Sequence, residues 1–264
     1  LALTEENAGS DATALETVAQ DTGDGHYVIN GAKRYITLAP IAHLFAVFAR
    51  TDGRSRGGAG VTAFLVERGT PGLSTSDSTP KMGQEGAPIG EVFLEDCRVP
   101  ASAIIGGEPG LGFRTVMKTL NKQRINLAAL SVGPAIRMLD DALAYTVERQ
   151  QFGKPIAEYQ LIQAMLAECK VEIEAARALI LETARKRDRG DDVTLDVSMC
   201  KYYATEMCGR VADKVVQVFG GQGYVKGRGI ERFYRDVRAT RIYEGTSQIH
   251  LLNIAKNLYK GVGG

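Results

Sequence analysis

Gly106-Gly107-Glu108-Pro109-Gly110 divides the chain into stretches of different periodicity. Before it, short apolar runs sit between clusters of Gly, Pro, Asp and Asn. His26-Tyr27-Val28-Ile29 and Lys33-Arg34-Tyr35-Ile36-Thr37 flank Asn30-Gly31, a dipeptide that favours a tight hairpin turn. His43–Ala49, Val61–Val66 and Glu91–Leu94 read as further strands, the earlier ones separated by the Gly-rich connectors Gly53–Gly60 and Gly69–Gly72. After Gly110 the period becomes helical. Ile162, Met165, Leu166, Cys169, Ile173, Ala176 and Ile180 recur at spacings of 3 and 4 with one adjacent pair, which makes a stripe on one helix face. Other helical patterns run from about Phe113 to Arg149, with a candidate kink at Gly133-Pro134, and from about Leu195 to Phe219, stopping at Gly220-Gly221. A last one starts at Thr246-Ser247, with Thr246 as N-cap, and ends near Gly261. The pattern predicts an α+β protein: a small antiparallel β-barrel or sandwich over 1–107, then an up-down α-helical bundle over 108–264.

Composition narrows the function classes. At 44% apolar and 24% charged residues the 264-residue chain can bury a core. Its 32 basic and 31 acidic residues give a formal charge of +1, so no net field draws it to nucleic acid or to an anionic membrane. No apolar run reaches the roughly 20 residues of a membrane-spanning helix. Cys97, Cys169, Cys200 and Cys208 form no C-x-x-C pair and His is scarce, which argues against a zinc site and for small buried thiols in a reducing compartment. The basic run Lys226, Arg228, Arg232, Arg235, Arg238 and Arg241 is interleaved with Glu231 and Asp236. It reads first as a solvated helix face, with nucleic acid or a CoA phosphate as the other options. Gly220-Gly221-Gln222-Gly223 follows a helix rather than a strand, so it is no dinucleotide fingerprint.

Particular strings are more specific. Leu3-Thr4-Glu5-Glu6-Asn7-Ala8-Gly9-Ser10-Asp11 resembles the T-E-x-x-A-G-S-D signature of the acyl-CoA dehydrogenases. Asn30-Gly31-Ala32-Lys33-Arg34-Tyr35-Ile36-Thr37 resembles that family's N-G-x-K-x-[WY]-I-T hairpin, Arg149–Ile156 its R-x-x-F-G hinge, and Gln217–Tyr224 its Q-x-x-G-G-x-G-[YF] turn. Arg235-Asp236 and Tyr243-Glu244-Gly245-Thr246-Ser247-Gln248-Ile249 complete the set, in the family's order and over nearly the whole chain.

The resemblance implies a middle β domain and a C-terminal helical domain that bind FAD and oxidise an acyl-CoA thioester to a trans-2-enoyl-CoA. Such a reaction removes a proton from Cα and a hydride from Cβ. The hydride needs a flavin and the proton a carboxylate held in a dry cleft. Glu244 matches the family's base. A helix N-terminus after it would lower its pKa and burial would raise it, a balance that sequence leaves open. The resemblance makes the Glu244 backbone N–H and a flavin ribityl hydroxyl the donors to the thioester oxygen. A subgroup of the family places its base on another helix, where this chain has Gln123, which cannot act as one.

The resemblance also assigns contacts. Leu1, Leu3, Thr4 and Ser10 would line the isoalloxazine edge, with Ser10 also touching pantetheine; Tyr35 and Thr37 would pack against the ring. Arg149, Gln151, Phe152, Gln160, Gln217 and Gly221 would hold the pyrophosphate and adenine end, largely from a neighbouring subunit. Thr246 and Gln248 would complete the cofactor site. Arg124, Asn121 and Gly245 would serve the substrate. The implied partners are acyl-CoA and an electron-transfer flavoprotein, the implied assembly a homodimer or homotetramer, and the implied setting fatty acid β-oxidation in bacterial cytoplasm or mitochondrial matrix. The family's N-terminal helical domain is not among these 264 residues, which suggests a truncated chain with an apolar face left exposed on the bundle. Two alternatives stand beside this reading: an acyl-CoA oxidase that passes electrons to oxygen, and an inactive fragment or interaction module.

Overall fold

The computed structural model describes residues 1–53 and 57–260. Part of the connector between Gly53 and Gly60, and residue 261, lie outside the described residues. By its internal contacts the chain separates into two compact units, Leu1–Thr119 and Leu120–Gly264.

The first unit holds one six-stranded sheet made of β1 (Val18–Asp21), β2 (His26–Thr37), β3 (Leu44–Arg50), β4 (Val61–Glu67), β5 (Leu73–Thr75) and β6 (Ile89–Pro100). The order is β4-β3-β1-β2-β6-β5, antiparallel except for a short parallel contact of β1 with β3 at Val18 and Arg50. Period-2 alternation buries Tyr27 and Ile29 of β2, Phe45 and Val47 of β3, and Val92 and Leu94 of β6 in one apolar cluster.

The expected hairpin at Asn30-Gly31 does not form. Both residues lie inside β2, which pairs with β1 through Val18–Asn30 and Ala19–Ile29 and with β6 through Ile29–Cys97 and Gly31–Leu94. A strand with partners on both sides cannot reverse there. It bulges instead, with a register shift between Ile29 and Gly31. Gly31 serves a close approach: a Cβ there would stand 2.5 Å from Thr17 Oγ1. The reversal comes earlier, between β1 and β2, where Gly23 and Gly25 take φ of 79° and 82°.

A buried ion pair fastens the N-terminal segment to the sheet. Lys33 of β2 is fully buried, and its Nζ donates to Glu5 Oε1 at 2.6 Å. The same carboxylate accepts from Thr17 Oγ1 at 2.5 Å, Thr17 N at 3.1 Å and Glu16 N at 2.5 Å. Burial alone would raise the Glu5 pKa, but Lys33, Thr17 and the Glu16 N–H outweigh it and hold the carboxyl below its ordinary value.

The second unit is helical. It comprises α1 (Gly112–Glu148) from Leu120 onward, a small hairpin of β7 (Gln150–Gln151) and β8 (Lys154–Pro155), α2 (Gln160–Asp188), α3 (Thr194–Phe219), α4 (Gly221–Tyr224), α5 (Ile230–Arg238) and α6 (Ser247–Lys260). The α2 stripe is buried as its spacing predicts, from Leu166 through Cys169, Ile173 and Ala176 to Ile180. Helix α1 runs on through Pro134. Helix α3 packs against α2, α5 and α6, and buries residues around much of its circumference, among them Val197, Ala204, Met207, Val211 and Val215. Tyr145 stacks on Phe219 with ring centroids 4.2 Å apart, tying α1 to the end of α3. All four cysteines are free and buried, as small core residues. Among the described residues no helix is long and apolar enough to cross a membrane.

Candidate active site

The segment before α6 is built around two consecutive residues with positive φ, Glu244 at 56° and Gly245 at 92°. Glycine takes this backbone freely; glutamate does not, so the neighbours must hold it. They do so through the carbonyls. Glu244 O accepts from Arg124 Nε of α1 at 3.2 Å and from His250 Nε2 of α6 at 3.2 Å. Gly245 O accepts from Lys201 Nζ of α3 at 2.6 Å. Arg124, Lys201 and His250 are all buried. A Cβ on residue 245 would meet His250 Nε2 at 3.0 Å, so the close packing of that ring also requires glycine.

The Glu244 carboxylate has one oxygen, Oε2, buried without a hydrogen-bond partner. Burial raises its pKa above the ordinary value, while Arg124 and Lys201 oppose the rise. Burial therefore outweighs the two cations. A raised pKa and an unpartnered oxygen suit a proton acceptor. The Lys201 ammonium is lowered to about 8 by burial, with Glu244 opposing and Arg124 reinforcing. His250 is lowered to about 4 by burial, then by Arg124 and Lys201, so its ring is neutral at neutral pH. Because Nε2 faces a carbonyl, that nitrogen carries the proton. Nδ1 is left as a buried acceptor without a partner.

The start of α6 is anchored separately. Thr246 Oγ1 accepts from Ile249 N at 3.3 Å, the N-cap contact that its sequence position predicts. Ser247 Oγ donates to Glu206 Oε1 at 2.5 Å, and Arg241 holds the other oxygen of Glu206 at 3.2 Å. Asn121 joins the cluster by accepting from Arg124 at 2.8 Å. The helical unit thus brings together Glu244, Gly245, Thr246, Arg124 and Asn121. Lys201, His250, Glu206 and Ser247 belong to the same cluster and were not singled out for it in the sequence. The only signal for Lys201 was a cation on the inner face of α3, between Val197 and Ala204.

The remaining sequence-predicted residues lie elsewhere. Arg149, Gln151, Phe152 and Gln160 are exposed on and beside the β7–β8 hairpin, where Phe152 takes a φ of 52° and leaves its ring 96% exposed. Gln217 and Gly221 are exposed at the α3–α4 turn, and Gln248 is exposed on α6. Gln217 follows Lys201 by sixteen residues on α3, about 24 Å along the axis, so it cannot share a small pocket with Glu244. In the sheet unit, Tyr35 is exposed with φ 55°, Thr37, Ser10 and Leu1 are exposed, and Leu3 and Thr4 are half-buried. These residues fit a flavin nucleotide by chemistry. Tyr35 offers a flat ring and Thr37 a hydroxyl, and Arg149 with three glutamines offers donors for a pyrophosphate and a purine.

Comparison with known proteins identifies the family. The family model described as "Acyl-CoA dehydrogenase, middle domain" matches residues 1–97, and the one described as "Acyl-CoA dehydrogenase, C-terminal domain" matches residues 110–259. The chain belongs to the acyl-CoA dehydrogenase family. One relative in this oxidoreductase family is the caffeyl-CoA reductase-Etf complex subunit CarC of Acetobacterium woodii. It is 42% identical over 98% of this chain and 68% of that protein. The solved butyryl-CoA dehydrogenase from Megasphaera elsdenii superposes with a TM-score of 0.93 at 41% identity, over 98% of this chain and 67% of that one. PigA, solved with FAD and proline, superposes with a TM-score of 0.94 at 34% identity, over 98% and 67% of the two chains. The chain therefore spans about two thirds of the length of these acyl-CoA dehydrogenase relatives.

Proposed function

We propose that the protein interconverts an acyl-CoA thioester and its trans-2-enoyl-CoA with bound FAD, and that Glu244 is the base. The observation that carries this reading is the Glu244 carboxylate: one oxygen buried and unpartnered, its pKa raised, on a left-handed turn held by three buried side chains. When bound, FAD supplies the hydride acceptor that no side chain offers. The chain's own residues do the proton work. Glu244 takes the proton from Cα, and the electrons of that C–H bond become the Cα=Cβ bond as hydride leaves Cβ. Arg124 and Lys201, both buried near it, stabilise the carboxylate before it accepts the proton. The Glu244 N–H polarises the thioester oxygen.

Tyr35, Thr37, Leu1, Leu3, Thr4 and Ser10 are the proposed contacts on the ring side. Arg149, Gln151, Phe152, Gln160, Gln217 and Gly221 are proposed for the pyrophosphate and adenine, with Thr246 and Gln248 completing the site. The family resemblance supports a cofactor shared between two copies, hence a homodimer or homotetramer. Arg124, Asn121, Gly245 and Ser10 are proposed for the substrate. The proposed domains are 1–107 and 108–264.

An electron-transfer flavoprotein is the proposed electron partner, supported by the Etf complex named for the Acetobacterium relative. That relative's name also favours a second reading of direction, reduction of the enoyl-CoA, in which protonated Glu244 returns the proton to Cα. A compartment of bacterial cytoplasm is in keeping with the bacterial source of that relative.

The test is E244Q. It should keep bound FAD and bind acyl-CoA, yet fail to bleach the flavin under anaerobic conditions against a panel of acyl-CoAs. Near-normal bleaching by this variant would remove Glu244 as the base.

A further inference from the structure

The turn that carries Glu244 holds its left-handed backbone only because something retains it, and the strongest contact does not come from a motif residue. Lys201 is fully buried on the inner side of α3, and its Nζ reaches Gly245 O at 2.6 Å. Arg124 and His250 reach the preceding carbonyl from α1 and α6, each at 3.2 Å. In a planar trans peptide the N–H points opposite to the C=O. Tying Glu244 O and Gly245 O to these side chains therefore turns the N–H groups of Gly245 and Thr246 away from them.

We propose that Lys201 is a positioning residue for the base: its ammonium clamps Gly245 O, fixes the left-handed turn and sets a positive charge beside the Glu244 carboxylate. This rests on Glu244 being the base. A lysine left buried without a carboxylate in direct contact is costly, and its retention needs a reason. The groups facing this site are Arg124 from α1, Lys201 and Glu206 from α3, His250 from α6 and Glu244 itself. Glu206 is engaged by Ser247 and Arg241. His250 is neutral, so the positive charge beside Glu244 comes from Lys201 and Arg124. Removing the Lys201 charge should disfavour the ionised base and raise its pKa.

The experiment compares K201M, K201Q and K201R with the wild-type chain loaded with FAD. Backbone hydrogen exchange is read over residues 243–247, and the pH profile of anaerobic flavin reduction is recorded. K201M should speed exchange across the turn at least tenfold while the rest of α3 keeps its protection. It should also move the acid limb of the profile up by about one pH unit. K201R should restore the limb toward its wild-type position. K201Q keeps a donor without the charge; it should protect the turn better than K201M and still show the moved limb. If K201M does not fold, the K201Q and K201R comparison decides. Wild-type exchange at the turn in folded K201M, or an unmoved acid limb in K201Q, overturns the proposal. Failure of the functional reading shows differently: E244Q would bleach the flavin normally while K201M still loosened the turn.

Discussion

At Gly245 one missing methylene group supports the whole site. The residue sits at φ 92°, and a Cβ would press on His250 Nε2 at 3.0 Å. G245A should therefore cost about 2 kcal/mol, from the left-handed backbone and the crowded ring together. Urea unfolding checks this, and an unchanged midpoint would show that the turn relaxes without penalty. The same residue shows how much of the site was legible. Glu244, Gly245, Thr246, Arg124 and Asn121 stand in strings whose residue types announce their chemistry, and the structure gathers them in one place. Lys201 and His250 were not legible as site residues. A lysine inside an apolar helix and a histidine four residues past a cap have no local signature, because their role depends on α1, α3 and α6 meeting at one turn.

Among the elements, β2 shows where local reading fails. Asn30-Gly31 carries the strongest two-residue turn signal in the N-terminal part, yet β1 and β6 pair with β2 on both sides and hold it in the sheet with a bulge. Tertiary pairing overrides turn propensity there. In α2 nothing opposes the 3.6-residue stripe, so its buried face was readable residue by residue. Strand β2 also carries Lys33, whose pair with Glu5 fastens the N-terminal segment. K33M would strand a buried carboxylate and should cost about 3–5 kcal/mol. The pH dependence has a definite sign. In the wild type the folded Glu5 pKa is below its unfolded value, so this contribution is present at neutral pH and fades as pH falls through the acid range. In K33M the Glu5 carboxylate keeps Thr17 and the Glu16 N–H but loses its cation, so its pKa rises relative to the wild type and the penalty should shrink on acidification. Denaturant midpoints for both proteins between about pH 4 and 7 measure it. A K33M penalty that grows toward low pH would contradict the pairing.

For the molecule as a whole, the proposed cofactor contacts have a consequence for stability. If Arg149 and Gln217 grip the far end of FAD, added FAD should stabilise the folded protein by about 2.7 kcal/mol at a hundredfold excess over its dissociation constant. R149A should lose most of that thermal shift while the apoprotein melts unchanged; an equal shift in both proteins would place the pyrophosphate elsewhere. The change from strands to helices was legible because periodicity changes at Gly106–Gly110, between the end of β6 and the start of α1. That the Phe152 ring would be exposed was not legible, since nothing in the local spacing marks which way it faces. The sequestered thiols matter for anyone following this surface. Cys97, Cys169, Cys200 and Cys208 are all buried, and burial pushes Cys169 to about 11 and Cys208 to about 12. A maleimide dye should therefore pass over the native molecule, and a single cysteine introduced at the tip of the β7–β8 hairpin would be a selective handle for fluorescence, with no need to strip the natural thiols first.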